Sequence, residues 1–247
     1  MEPVEIAIQL YTMLQTTNMA TRPGMSSVAR RGHWLVMTAP RPGRVYSRWD
    51  LRAHQPGVYG MHVVAGLRER GLRSQDHVLA LGLGGGVVQG DLLCHGWAAS
   101  VLSIELDPKV VAAAQRHFFP AIFGDTRCAA RRRQQMHVLL GDATNGTLLR
   151  STRRLFGGVV ADIGPVYLLP TGFPVAAWRG VLQQTACRGV LVCNTLFPQW
   201  ADVGVLTRRL QDAGWSDTSV EPVSRPWEPG VNVLVYARRT CLSRSAE

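Results

Sequence analysis

Apolar runs of four or five residues, separated by stretches of helical length, recur through the chain from residue 78 onward. Residues 78–81, 101–105, 136–140, 158–161 and 190–194 each read as a buried strand, since a near-continuous apolar run bounded by turn residues suits a strand covered on both faces. The intervening stretches 86–95, 109–118, 175–186 and 202–213 read as helices, with Pro108 placed to open the second. Regular alternation of this kind predicts a parallel sheet with crossover helices. Residues 218–223 and 231–237, with Pro226 and Pro229 between them, predict an antiparallel pair that closes the sheet. The fold class is therefore α/β: a doubly wound, mostly parallel seven-stranded sheet with an antiparallel last strand. Ahead of it, residues 33–38 and 44–48 flank Ala39-Pro-Arg-Pro-Gly43 and predict a β-hairpin, and 50–67 runs into a helix. Residues 4–14 carry a weak helical pattern (Val4, Ile8, Tyr11) before a polar stretch at 16–27. The expected organisation is a tail or helix over 1–30, a hairpin and helix cover over 31–76, a main domain over 77–240 and a tail over 241–247.

The first buried strand ends in Gly82, Gly84, Gly85 and Gly86, and the second ends in Glu105 and Asp107. A glycine turn lets backbone amides face a ligand at close range, and an acid one helix later accepts from two ribose hydroxyls. This pattern predicts a Rossmann-like nucleoside site. The dinucleotide fingerprint needs glycines at its first, third and sixth positions; counted from Gly82 the sixth is Val87, so the pyrophosphate version fails.

Leu-Gly-Leu-Gly-Gly-Gly followed by Ile-Glu-Leu-Asp-Pro resembles the first motifs of class I S-adenosylmethionine (SAM) dependent methyltransferases, and more narrowly their spermidine-synthase-like branch. The resemblance implies that Gly82, Gly84, Gly85 and Gly86 pass the methionine part of the cofactor, and that Glu105 holds the ribose. It also implies that Asp142 and Ala143, after the third strand, hold the adenine. Asp142 has a plainer reading as a helix cap, and Asp107 reads as second-rank support or as the cap of the next helix. Asp162 ends the fourth strand, where aminopropyltransferases of this branch carry the aspartate that deprotonates the attacking amine. Tyr59, Pro165 and Tyr167 are candidate acceptor-binding residues, with Trp178 beside them; for Tyr59, Tyr167 and Trp178 the competing reading is core packing. An aromatic wall around a cationic nitrogen would make physical sense.

Three departures separate the chain from polyamine synthases. Gly85 stands where those enzymes carry an aspartate inside the glycine loop, Pro165 stands where they carry a second aspartate, and Tyr59-Gly60-Met61 lacks their acid. A dicationic amine needs several carboxylates to offset its desolvation. The expectation is thus a SAM-dependent methyltransferase acting on an amine, with a protein or small amine as acceptor. The alternatives are aminopropyl transfer from decarboxylated SAM, and an inactive SAM-fold binding subunit.

The net charge of +10 invites a nucleic-acid reading. Lys109 is the only lysine, however, so every other basic residue is arginine. The arginine clusters at 131–133, 153–154 and 208–209 are scattered and lack interleaved aromatics. Nucleic acid is therefore not the favoured partner, and a homodimer stays open. No apolar run reaches the length a membrane span needs, and the sequence reads as cytoplasmic. Cys94, Cys128, Cys187, Cys193 and Cys241 show no metal-ligand spacing and read as buried thiols in a reducing compartment. No metal is expected.

Overall fold

The computed structural model describes residues 27–38, 45–124, 128, 130–152, 154–163, 173–196, 200–223 and 232–241. The 4–14 pattern, the 39–43 turn, Pro165, Tyr167, Pro226 and Pro229 lie outside the described residues.

The chain enters through a four-stranded antiparallel sheet, β1 (Ser27–Arg31), β2 (Trp34–Thr38), β3 (Val45–Asp50) and β4 (Gln55–Pro56). The expected hairpin is the β2–β3 pair, with Met37 opposite Ser47. The helix expected from residue 50 starts later. Asp50 instead closes β3 and turns the chain, its Oδ1 accepting from the N–H groups of Arg52 (2.8 Å) and Ala53 (2.9 Å). Pro56 ends β4, and α1 then spans Val58–Glu69.

Seven strands form the main sheet: β5 (His77–Leu81), β6 (Ser100–Glu105), β7 (Met136–Leu140), β8 (Phe156–Ala161), β9 (Thr185–Leu196), β10 (Ser216–Val223) and β11 (Asn232–Arg238). Their spatial order is β10-β11-β9-β8-β5-β6-β7. The β5, β6, β7, β8 and β9 contacts are parallel, and β11 runs antiparallel to both its neighbours. The connecting helices are α2 (Val87–Cys94), α3 (Pro108–Ala113), α4 (Phe119–Phe123), α5 (Ala130–Arg133), α6 (Gly146–Ser151), α7 (Val175–Gln184) and α8 (Trp200–Asp212).

The sheet buries both faces. On one, Val78, Ala80, Val160, Val192 and Leu234 pack with Val63 and Leu67 of α1 and Leu92 of α2. On the other, Leu79, Leu81, Val159 and Leu191 pack with Trp178 and Val181 of α7 and Leu206 of α8. Each of the valines and leucines stabilises the fold by roughly 1.5–3 kcal/mol through burial.

Two further helices depart from expectation. The single helix over 109–118 is instead α3, a π-helical turn Ala114–Phe118 and α4. Pro120 has no N–H to continue the ladder, and the extra residue in the turn brings Phe118 and Phe119 inward together; both are buried. The helix expected to reach 186 stops at Gln184, and β9 begins at Thr185, whose hydroxyl caps the carbonyl of Val181 at 2.9 Å.

The cysteines correct the reading of five buried thiols. Cys94 is bonded to Cys128 and Cys187 to Cys241, with Cα–Cα distances of 4.8 and 5.6 Å. The partners lie 34 and 54 residues apart, so only the tertiary fold brings them together. Cys193 alone is a free, buried thiol, and burial pushes its pKa upward.

Candidate active site

Strand order runs outward from β5 to β6 and β7 on one side and to β8 on the other, so a crevice opens at the carboxyl ends of β5 and β8. Gly82 and Asp162 stand on its two lips. The Asp162 N–H continues the ladder to the carbonyl of Leu81 at 2.9 Å. Gly82 has φ +92°, and a Cβ there would run into the carbonyl oxygen of Asp162. The residue must therefore be glycine for both conformation and space.

The loop amides do not point outward as the sequence reading expects. Gly82 N–H donates to the Ile104 carbonyl (2.8 Å), Leu83 N–H to Glu105 Oε2 (2.9 Å), Gly85 N–H to Ser47 Oγ (2.7 Å) and Gly86 N–H to the Leu83 carbonyl (2.9 Å). Buried Gln89 donates from Nε2 to the Gly82 carbonyl at 3.1 Å. These bonds fix the loop against the protein, and the missing Cβ atoms let neighbouring protein groups pack directly onto it. At Gly85 a Cβ would lie 2.7 Å from the Phe118 ring and 2.9 Å from Ser47 Cβ, so no side chain fits there without displacing a buried aromatic.

Glu105 ends β6. Its Oε2 takes the Leu83 N–H and its Oε1 the Asp107 N–H at 3.0 Å. A carboxylate has about four acceptor positions, so both oxygens keep capacity for further donors. Asp107 caps α3, accepting from the Lys109 N–H at 2.8 Å. The Gly141 N–H reaches the Glu105 carbonyl at 2.8 Å and brings the end of β7 alongside. Asp142 follows, exposed, with Oδ1 accepting from both the N–H and the hydroxyl of Thr144 at 2.8 Å. It caps no helix. Asn145 does so for α6, accepting from Thr147 and Leu148. Ala143 is buried among the residues of the α7 and α8 face.

Asp162 is half-buried, and its Oδ1 accepts from Asn194 Nδ2 at 2.8 Å. Asn194 lies near the end of β9 and is 6% exposed. Sequence reasoning missed it, although it ends the expected fifth strand as Asp162 follows the fourth; the same strand-end rule would have found it. Ser47, Gln89 and Phe118 were missed as loop supports, for nothing local marks a contact made across the fold. Tyr59 packs partly buried against the core from α1. Trp178 is fully buried, 4.3 Å from the Phe173 ring, and is helix-on-sheet packing rather than pocket wall. Among the described residues, no group of three or more His, Cys, Asp or Glu could hold a metal, and no helix is long and apolar enough to cross a membrane.

No family model and no curated protein matches the chain. Solved structures do. A spermidine synthase from Thermotoga maritima is similar over 87% of this chain and 72% of its own, at 15% identity and a TM-score of 0.57. A spermidine synthase in complex with the transition-state analogue AdoDATO shares the same coverage and identity with a TM-score of 0.59. The glycopeptide N-methyltransferase MtfA, complexed with SAM, matches 73% of this chain and 94% of its own at 17% identity and a TM-score of 0.56. The chain has the fold of the class I SAM-dependent methyltransferases and spermidine synthases.

In a fold of this methyltransferase type, a nucleoside cofactor needs a turn it can approach closely and a fixed acceptor for its ribose. The residues present fit such a group. Gly82 and Gly85 let the turn pack directly against Asp162 and the Phe118 ring, which fixes its path at the strand ends, and Glu105 is held by two N–H groups with acceptor capacity to spare.

Proposed function

We propose that this protein is a SAM-dependent methyltransferase that methylates an amine, preferably on a protein. The observation that carries this reading is the pairing of an anchored glycine loop with Asp162, which ends the neighbouring strand beside Gly82 and whose carboxylate is held by Asn194. In this reading Gly82, Gly84, Gly85 and Gly86 border the methionine part of the cofactor, Glu105 accepts from the ribose hydroxyls, and Asp142 and Ala143 border the adenine. SAM, when bound, supplies an electrophilic methyl group on a sulfonium. Asp162 takes the proton that the acceptor amine must lose before its lone pair can attack, and the crevice contributes to rate by holding donor and acceptor in line. Tyr59, Pro165 and Tyr167 remain the proposed acceptor-side residues. A cytoplasmic setting would require the Cys94–Cys128 and Cys187–Cys241 pairs to be reduced there.

Aminopropyl transfer from decarboxylated SAM is the second reading, favoured by the likeness to spermidine synthases. Against it stands Gly85, where the Phe118 ring leaves no room for a carboxylate. Thermal-shift measurements with SAM, decarboxylated SAM, methylthioadenosine and NAD separate the readings. A ligand at 100 times its Kd adds about 2.7 kcal/mol to native stability. Stabilisation by SAM above its decarboxylated form supports methyl transfer, the reverse order supports aminopropyl transfer, and no shift with any adenosyl ligand supports a binding subunit.

A further inference from the structure

The crevice uses the carboxyl ends of the parallel strands. Their amino ends form the opposite side of the molecule, about 16 Å away along the five residues of β5. Arginines that are scattered in the sequence meet there. Arg73, Arg132 and Arg154 lie just ahead of β5, β7 and β8. Arg188 lies at the start of β9, in the irregular stretch between the Thr185 and Val190 pairings, and Arg238 ends β11 opposite Val190. Arg68, in the last turn of α1, lies on Trp97 just ahead of β6, its guanidinium carbon 3.5 Å from the ring centroid. Along the strand order β11-β9-β8-β5-β6-β7, each strand end thus has its arginine, over about 24 Å at ~4.8 Å per strand.

Acids at this end leave most of the row unneutralised. Asp76 takes Arg73 (3.3 Å) and Asp91 takes His95 (3.1 Å), whereas Arg68, Arg132, Arg154, Arg188 and Arg238 have no carboxylate partner among the described residues. Arg68, Arg154 and Arg188 are exposed. Arg188 holds a left-handed backbone, φ +61°, with its N–H tied to the Arg239 carbonyl at 3.0 Å; such a conformation costs energy and recurs at functional sites. Two guanidinium groups are held flat on rings. Arg68 lies on Trp97, and Arg70 lies 3.6 Å from the Tyr236 centroid, tied to Glu221 at 3.5 Å. Arg238 donates to the Arg70 carbonyl at 2.8 Å, and the two arginines line a cavity of about 240 Å³ with Tyr236 and Asp217. A guanidinium held on a ring keeps its outer face for a second flat group and its N–H edge for a phosphate. The carboxylates of an acidic protein would use the edges alone, and the bases of a duplex are already stacked on one another.

We infer that this row of arginines is a binding surface for single-stranded nucleic acid, whose phosphodiester backbone crosses the strand ends while its bases stack on the ring-held guanidinium groups. The inference does not rest on methyl transfer, since the row lies at the far end of the sheet from the crevice. The aromatics that the sequence lacks beside its arginine clusters are Trp97 and Tyr236, brought in by the fold.

Fluorescence anisotropy with labelled RNA and DNA single strands of one mixed sequence, about 12 nucleotides long, tests it. Duplex DNA and an oligoglutamate of the same length serve as competitors. Single-stranded RNA or DNA should bind at least tenfold more tightly than either competitor. The logarithm of the affinity should fall against the logarithm of salt concentration with a slope of about −3.5, as roughly five phosphate contacts give at ~0.7 each. Arg154→Gln combined with Arg188→Gln should weaken binding at least tenfold and flatten that slope by about 1.4. Arg52→Gln combined with Arg208→Gln removes the same charge from exposed positions off the row and should leave the affinity within twofold of the wild type. Saturating S-adenosylhomocysteine should leave it unchanged. Equal losses in the two variants would make net charge the cause and overturn the surface. Displacement by S-adenosylhomocysteine, a duplex or oligoglutamate that binds as tightly, or no binding at low salt would overturn it too. The competitor series decides the matter in the unmutated protein even if a variant fails to fold. A protein that binds no S-adenosylhomocysteine loses the methyltransferase reading, while this surface is judged on the oligonucleotides alone.

Discussion

Glu105 does two jobs with one carboxylate. It ties the glycine loop to β6 through the Leu83 N–H and starts the next turn through the Asp107 N–H, and in the proposed site it also meets the ribose. Glu105→Ala should therefore lower SAM affinity at least ~100-fold, as expected from losing two charge-assisted bonds, and destabilise the fold by about 1–3 kcal/mol through the orphaned amides. Calorimetry and urea unfolding check the two effects separately; near-wild-type SAM affinity would sink the ribose assignment. Asp162 makes the opposite kind of prediction. Asp162→Asn keeps an oxygen for Asn194 Nδ2, so the local geometry and SAM affinity should persist. Turnover should fall by roughly 10²–10⁴, the range for loss of a general base. Unchanged turnover with a defined acceptor would mean that the proton leaves by another route.

At the scale of elements, the turn between β3 and β4 carries a pH signature. Burial pushes the Asp50 carboxyl up, but the N–H groups of Ala53 and Arg52 outweigh it, and His33 at 3.6 Å adds to them, so the net shift is downward. A carboxyl lowered in the folded state stabilises above its unfolded pKa of about 3.9 and loses that contribution as pH falls through the folded value. The stability difference between the wild type and Asp50→Asn should thus be constant above about pH 5 and shrink below about pH 4. Urea midpoints across that range test this, and a difference flat down to pH 2 would refute it. This turn also marks where sequence reading stopped. Strands buried on both faces were legible, as with 136–140, which is β7 to the residue. The onset of α1 was not, since Asp50 bonding its own backbone competes with a helix start and nothing in the apolar pattern shows which prevails. The π-helical turn at Ala114–Phe118 was only half legible: Pro120 marks an interruption, but the packing of Phe118 against Gly85 is a contact 33 positions away in the chain.

For the molecule as a whole, the strand-end residues were readable one by one, but the bonds that couple distant segments were not. Ser47 on the small sheet holds the glycine loop at Gly85, and the Cys94–Cys128 bond ties the far end of α2 to the segment after α4. Gly90 of α2 meets Ile122 of α4, so that bond clamps two elements already packed together behind the loop. Closing loops of 34 and 54 residues restricts the unfolded chain by about 4 kcal/mol each in the chain-entropy model. Reduction should then lower the thermal midpoint by about ten degrees or more, since roughly 2–4 °C accompanies each kcal/mol at this size. Thiol titration of protein purified without reductant and unfolded in guanidinium should find one reactive thiol, Cys193, and five after reduction. A midpoint indifferent to reductant would mean that the clamps add nothing to packing already in place. Five thiols before reduction would mean that they are not formed in the cell that made the protein. One thiol with a large drop on reduction would instead make the rigidity of the region behind the glycine loop depend on redox state, and SAM affinity measured in both states would show whether that rigidity reaches the site.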